Sequence, residues 1–103
     1  MELSLVARIS TDDPQRLRST LSDILRRHPG SCETGPEGFE VRLTWEAPSA
    51  RDANRELLNE LRRTVRKTRL RAEWSHGTTV ERFFDYVPKG VRVGASPPPS
   101  ATP

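Results

Sequence analysis

His28, Cys32 and His76 are the residues of this chain whose types could amount to a reaction or a metal site. Two imidazoles and a thiolate form a ligand set for zinc or copper, and a thiol beside an imidazole forms a nucleophile pair. His28 ends a stretch with helical spacing, and His76 ends the last alternating stretch, so a strand-up, helix-down reading puts all three at one edge of the fold. Each also has a plainer role. His28 follows Arg26 and Arg27 and suits a helix C-terminus as a cation. His76 precedes Gly77 in a turn, and Cys32 is a small, half-buried apolar group. The plainer roles are preferred, so no metal, cofactor or catalytic residue is expected. No glycine-rich phosphate loop, Gly-x-Ser-x-Gly elbow or His-Glu-x-x-His pair occurs in the sequence.

Charge offers a second chemistry. The formal net charge is +3, and it comes from one cluster: Arg62, Arg63, Arg66, Lys67, Arg69 and Arg71 lie within ten residues that contain no acid. Such a cluster can grip phosphates without reading bases, with a salt-sensitive affinity. Its plainer role is to complement a helix C-terminus, worth about 0.3–1 kcal/mol per cation, beside Asp12 and Asp13. Arginine outnumbers lysine 15 to 2, which reflects either GC-rich coding or a demand for phosphate forks.

Aromatic residues offer a third. Phe83, Phe84 and Tyr86 are half of the aromatics, and Val80, Phe83, Phe84 and Val87 recur at helical spacing after a Thr78-to-Glu81 capping box. A short amphipathic helix is expected here, either capping the core beside Trp74 or docking on a partner.

Asp12-Asp13-Pro14-x-x-Leu17 resembles the strand-to-helix turn of ACT regulatory domains. The resemblance spans six residues and implies an amino-acid effector site at that turn; Gln15 stands where those domains carry glycine. A simple helix start accounts for the same residues.

Certain elements must position these groups. Leu3, Leu5, Ala7 and Ile9 alternate with polar neighbours, as do Phe39, Val41, Leu43 and Trp45, and later Leu70, Ala72 and Trp74. Each run predicts a strand with one buried face. Ser31 to Thr34 is a weaker strand, and Gly35-Pro36-Glu37-Gly38 a turn. Leu17, Leu21, Ile24 and Leu25 mark one helix, opened by Asp12 or Asp13 and stopped by Pro29-Gly30. Ala53, Leu57, Leu58, Leu61 and Val65 mark another, capped by Ser49 and running to about Lys67. The order strand, helix, strand, strand, helix, strand predicts an α+β, ferredoxin-like βαββαβ sandwich, with two helices on one face of an antiparallel sheet. The domain would cover residues 1–76, the helical appendage 77–93 and a disordered Pro-rich tail 94–103. The uncovered face would carry Ser4, Val6, Arg8, Glu40, Arg42, Thr44, Glu46, Arg69, Arg71, Glu73 and Ser75. With no aromatic on it, base stacking is not expected there.

Composition bounds the rest. A chain of 103 residues, 33% hydrophobic and 30% charged, suffices for one domain with a thin core. One cysteine excludes an internal disulfide. No run approaches the length of a membrane span, and Met1 to Leu5 does not read as a secretory leader, so no membrane association and a cytoplasmic location are expected. The function expected is a small non-catalytic interaction or regulatory module, with a protein partner or a second copy held through Val80, Phe83, Phe84, Tyr86 and Val87. The alternative is a basic accessory protein that binds nucleic acid or another polyanion through Arg62 to Arg71. A small-ligand or metal-binding regulatory domain comes third.

Overall fold

The computed structural model describes residues 1–36 and 38–93; the Pro-rich tail expectation and Glu37 of the expected turn lie outside them. The elements are β1 (Glu2–Thr11), α1 (Pro14–Arg27), β2 (Gly30–Thr34), β3 (Gly38–Glu46), α2 (Ala50–Thr64), β4 (Thr68–His76), β5 (Thr79–Phe84) and β6 (Val87–Val93). The fold is mixed α+β: six antiparallel strands in one sheet, ordered β2-β3-β1-β4-β5-β6, with two helices. None of the helices in the described residues is long and apolar enough to cross a membrane.

Period-two alternation in the strands produces the core. Leu3 pairs with Trp45, Leu5 with Leu43, and Ile9 with Phe39 on one side and Leu70 on the other. All of these are buried, and the residues between them point to the opposite face. Both helices lay their apolar stripes on the buried side: Leu17, Leu21 and Ile24 from α1, and Ala53, Leu57, Leu58 and Leu61 from α2. Trp45 and Trp74 meet edge to face with ring centroids 6.1 Å apart.

Local signals set the helix ends. The side chain of Asp13 accepts the backbone N–H of Arg16 at 3.2 Å, and Ser49 Oγ accepts that of Asp52 at 3.1 Å, so two orphan donors are satisfied. α2 stops at Thr64, earlier than expected. Val65 turns extended with φ −131°, and Thr68 Oγ1 donates to Val65 O at 2.6 Å, which folds the chain directly into β4. At Gly38 the backbones of β3 and β1 approach so closely that a Cβ would sit 2.0 Å from Ile9 O.

The expected C-terminal helix does not form. Residues 79–84 and 87–93 are strands that extend the sheet past β4. Two tight turns frame β5: Gly77-Thr78, opening at φ 58°, and Asp85-Tyr86, opening at φ 56°. Both begin with a residue type that tolerates the left-handed region, as two-residue hairpin loops require. An isolated eight-residue helix is marginal, whereas Thr, Val and Phe suit a strand, and β4 would otherwise present a bare edge.

The hairpin therefore separates residues that the helical reading grouped together. Phe83 faces the helices opposite Ala72 and is 5% exposed; Phe84 lies opposite Arg71 on the other face. Asn54, 2% exposed, joins the hairpin to the core. It accepts from Trp74 Nε1 at 3.1 Å and donates to Asp85 O at 2.7 Å. Asp85 in turn bonds both backbone groups of Leu70: its N–H donates to Leu70 O at 2.7 Å, and its Oδ1 accepts Leu70 N–H at 2.9 Å.

The two phenylalanines should thus separate in urea unfolding. Phe83→Ala is expected to lose about 3–5 kcal/mol and Phe84→Ala about 1 kcal/mol or less; equal losses would contradict their placement on opposite faces.

Candidate functional site

With both helices on one side, the other side of the sheet is open, and antiparallel register aligns its side chains in rows. One row runs Arg42, Val6, Glu73, Arg82 across β3, β1, β4 and β5. The next runs Glu40, Arg8, Arg71, Phe84. Arg69 stands one step further along β4, opposite Ser10. This face holds a recess of about 640 Å³ lined by five cations, Arg8, Arg42, Arg71, Arg82 and Lys89, and two carboxylates, Glu40 and Glu73.

Both carboxylates are engaged. Glu40 lies 3.5 Å from Arg8 Nε and Glu73 lies 3.2 Å from Arg82 Nε. Among the described residues Arg42, Arg69, Arg71 and Lys89 have no ion-pair partner. Arg8 and Arg71 are directly opposite on neighbouring strands, a like-charge pairing that destabilises a bare sheet. Two guanidiniums lie over the Phe84 ring, Arg71 at 5.2 Å and Arg69 at 5.8 Å. The open face therefore has an aromatic after all. The sequence placed none there because residues 79–84 read as a helix.

The arginine cluster divides in the fold. Arg62 is half-buried and structural: its Nε donates to Thr68 O at 2.9 Å, its Nη2 lies 3.2 Å from Asp85 Oδ1, and its guanidinium sits 5.5 Å from the Tyr86 ring centroid. Arg63 is exposed on α2. Arg66, Lys67 and Arg69 line a smaller recess of about 330 Å³ with Arg62, Thr68 and Asp85. Only Arg69 and Arg71 belong to the open face, where Arg8, Arg42, Arg82 and Lys89 join them. The ion pair that forms is to Asp85; among the described residues Asp12 and Asp13 form no ion pair with the cluster.

The aromatic surface expected from Val80, Phe83, Phe84, Tyr86 and Val87 is likewise dispersed. Phe83 is core, Val80 is half-buried opposite Ser75, and the Tyr86 hydroxyl donates to Asn59 Oδ1 on α2. Val87 remains exposed on β6.

His28, Cys32 and His76 are not brought together. Cys32 lies on β2 and His76 on β4, with β3 and β1 between them; three interstrand steps span about 14 Å. Among the described residues no three His, Cys, Asp or Glu side chains group to hold a metal. His76 Nε2 is 3.5 Å from Glu81. Cys32 is half-buried, and its burial pushes the thiol up, away from the reactive thiolate. His28 lies flat on Trp45 with ring centroids 3.7 Å apart. Burial, then Arg27, pulls its pKa below the usual value, while Glu60 and Glu56 oppose the shift. Arg27 itself is held by Glu60, which raises its already high pKa. The turn that resembles an ACT domain is a helix cap, with Asp13 satisfying Arg16.

Comparison of the chain with protein-family models, curated proteins and solved structures gives no match.

The His28 geometry predicts a pH dependence of stability. The folded state holds the imidazole neutral below the pH at which the unfolded chain protonates it. Stability is thus complete above about pH 6.5 and falls as pH drops through that value. In thermal melts at pH 7 and pH 5, His28→Phe should lose less stability between the two than the wild type; an equal or larger loss would sever the link to this ring.

Proposed function

We propose that the chain is a small non-catalytic binding domain that takes nucleic acid across the open face of its sheet. The observation that carries this reading is the opposed pair Arg8 and Arg71, set in a recess where Arg42 and Lys89 have no carboxylate partner among the described residues. Glu40 pairs with Arg8, but Arg71 has no carboxylate of its own among the described residues, so an anion bridging the two arginines completes the charge balance, and guanidinium forks match phosphate geometry. The excess of arginine over lysine, 15 to 2, is consistent with this.

The architecture supports it as well. The order β2-β3-β1-β4, with both helices on one side, supports reading the first four strands as a ferredoxin-like core extended by a hairpin, a plan whose uncovered face is available to a polymer. A single cysteine fits work in the reducing cytoplasm. The partner surface therefore shifts from the arginine cluster as a whole to the part of it that shares the open face.

A second reading, self-association, rests on β6. Among the described residues no strand pairs with its outer edge, with Val91 61% and Val93 68% exposed, although Pro88 and Lys89 are residues that discourage edge pairing. Equilibrium sedimentation decides it: a dimer weakened by Val91→Pro supports the reading, and a monomer at every concentration ends it.

For nucleic acid, log affinity for a single-stranded oligonucleotide should fall linearly with log salt. Replacing Arg42 and Arg71 by Gln should reduce the slope by about 1–2. Replacing Arg51 and Arg55, on the outer surface of α2, should change it less. Passage through a heparin column at low salt, or equal effects of the two pairs, would defeat the proposal.

A further inference from the structure

The open face resolves further than its charge. We infer that the nucleic acid it takes is single-stranded, with one base stacked at Phe84; this deepens the reading above and rests on it. Phe84 is half-exposed, and it is held on the polar side of the sheet by its pairing with Arg71 and Val87. Its neighbour Phe83 already fills the core position of β5. Nothing in the hydrophobic core therefore requires an aromatic at 84.

Phe84 also sits inside the cationic patch rather than beside it. Arg71 and Arg69 lie 5.2 Å and 5.8 Å from its centroid. A base takes the place of these guanidiniums on the ring, and the displaced arginines then stand beside it to hold its phosphates, because a guanidinium plane can both stack and donate to phosphate. Tyr86, the other exposed aromatic of the hairpin, is tied to Asn59 on the helix side and is not available to this face.

Shape points the same way. The ring lines a recess of about 640 Å³, a concavity that receives an unstacked base. A duplex keeps its bases stacked inside and presents only its phosphates to such a surface. Cationic side chains also lead out of the recess. Arg69 links it to the smaller recess that holds Arg66 and Lys67 just before β4, which gives a backbone a path past the C-terminal end of β5.

The test uses fluorescence anisotropy with a mixed-sequence decanucleotide, the same decanucleotide annealed as a duplex, and a version made abasic throughout, alongside heparin chromatography. Phe84→Leu keeps an apolar side chain but removes the stacking surface, and circular dichroism checks its fold. Wild type should prefer the single strand over the duplex. Phe84→Leu should weaken single-strand binding about five- to a hundredfold, with heparin retention and the salt slope unchanged. The abasic strand should bind wild type as weakly as the intact strand binds the variant. Equal affinity for duplex and single strand, full affinity for the abasic strand, or a parallel loss of heparin retention would each overturn the inference while leaving a polyanion site standing. Failure of the wild type to bind any of these polymers would remove the polyanion reading itself.

Discussion

Two helices can cover only one side of a sheet this wide, and that constraint governs the molecule. Leu3, Leu5, Ala7 and Ile9 point into the helices, so Ser4, Val6 and Arg8 must point away. The same parity passes through hydrogen-bonded register to β3 and β4. A slip of one residue in β1, β3 or β4 would send leucines into water and arginines under the helices, so the buried face holds the exposed one in place. The rows of the open face are thus a consequence of core packing, whatever they bind.

The second constraint is local and polar. Asp85 takes a left-handed backbone conformation and bonds Leu70 on both its donor and its acceptor, while its carbonyl receives Asn54 from α2. Asn54 also satisfies the indole N–H of Trp74, deep in the core. One buried amide therefore joins α2, β4 and the hairpin turn. Unmet, those buried groups would each cost about 1–3 kcal/mol. Arg62 completes the arrangement from α2 by pairing with the carboxylate of Asp85. A residue that reads as part of a phosphate-binding cluster is occupied instead in fixing where the hairpin begins, and so in where Phe84 stands.

The first four strands and both helices were legible because their signals are periodic and mutually consistent. Phe39, Val41, Leu43 and Trp45 alternate cleanly, and Asp13 and Ser49 cap helices where short polar side chains precede apolar stripes. The hairpin was misread because Val80, Phe83, Phe84 and Val87 satisfy a helical spacing by coincidence. The opposing signal was present in Gly77-Thr78 and Asp85-Tyr86, two turn pairs that bracket six residues rich in strand formers. Short apolar runs are ambiguous between the two periods, and the unpaired edge of β4 resolved this one. The candidate site suffered accordingly: Arg8, Arg42, Arg69 and Arg71 were on the expected open face, but Arg82, Lys89 and Phe84 arrive only with the hairpin.

The amino-acid order alone determined which residues of β1, β3 and β4 are buried, where the helices start and that one sheet face carries an excess of arginine, because side-chain alternation and capping are properties of neighbours along the chain. Tertiary structure alone decided that Phe83 and Phe84 part company, that Arg62 serves Asp85, and that His28 rests on Trp45. Those outcomes depend on which strand pairs with which edge, and pairing between distant segments is settled by the free energy of the whole sheet rather than by any one segment's own preference.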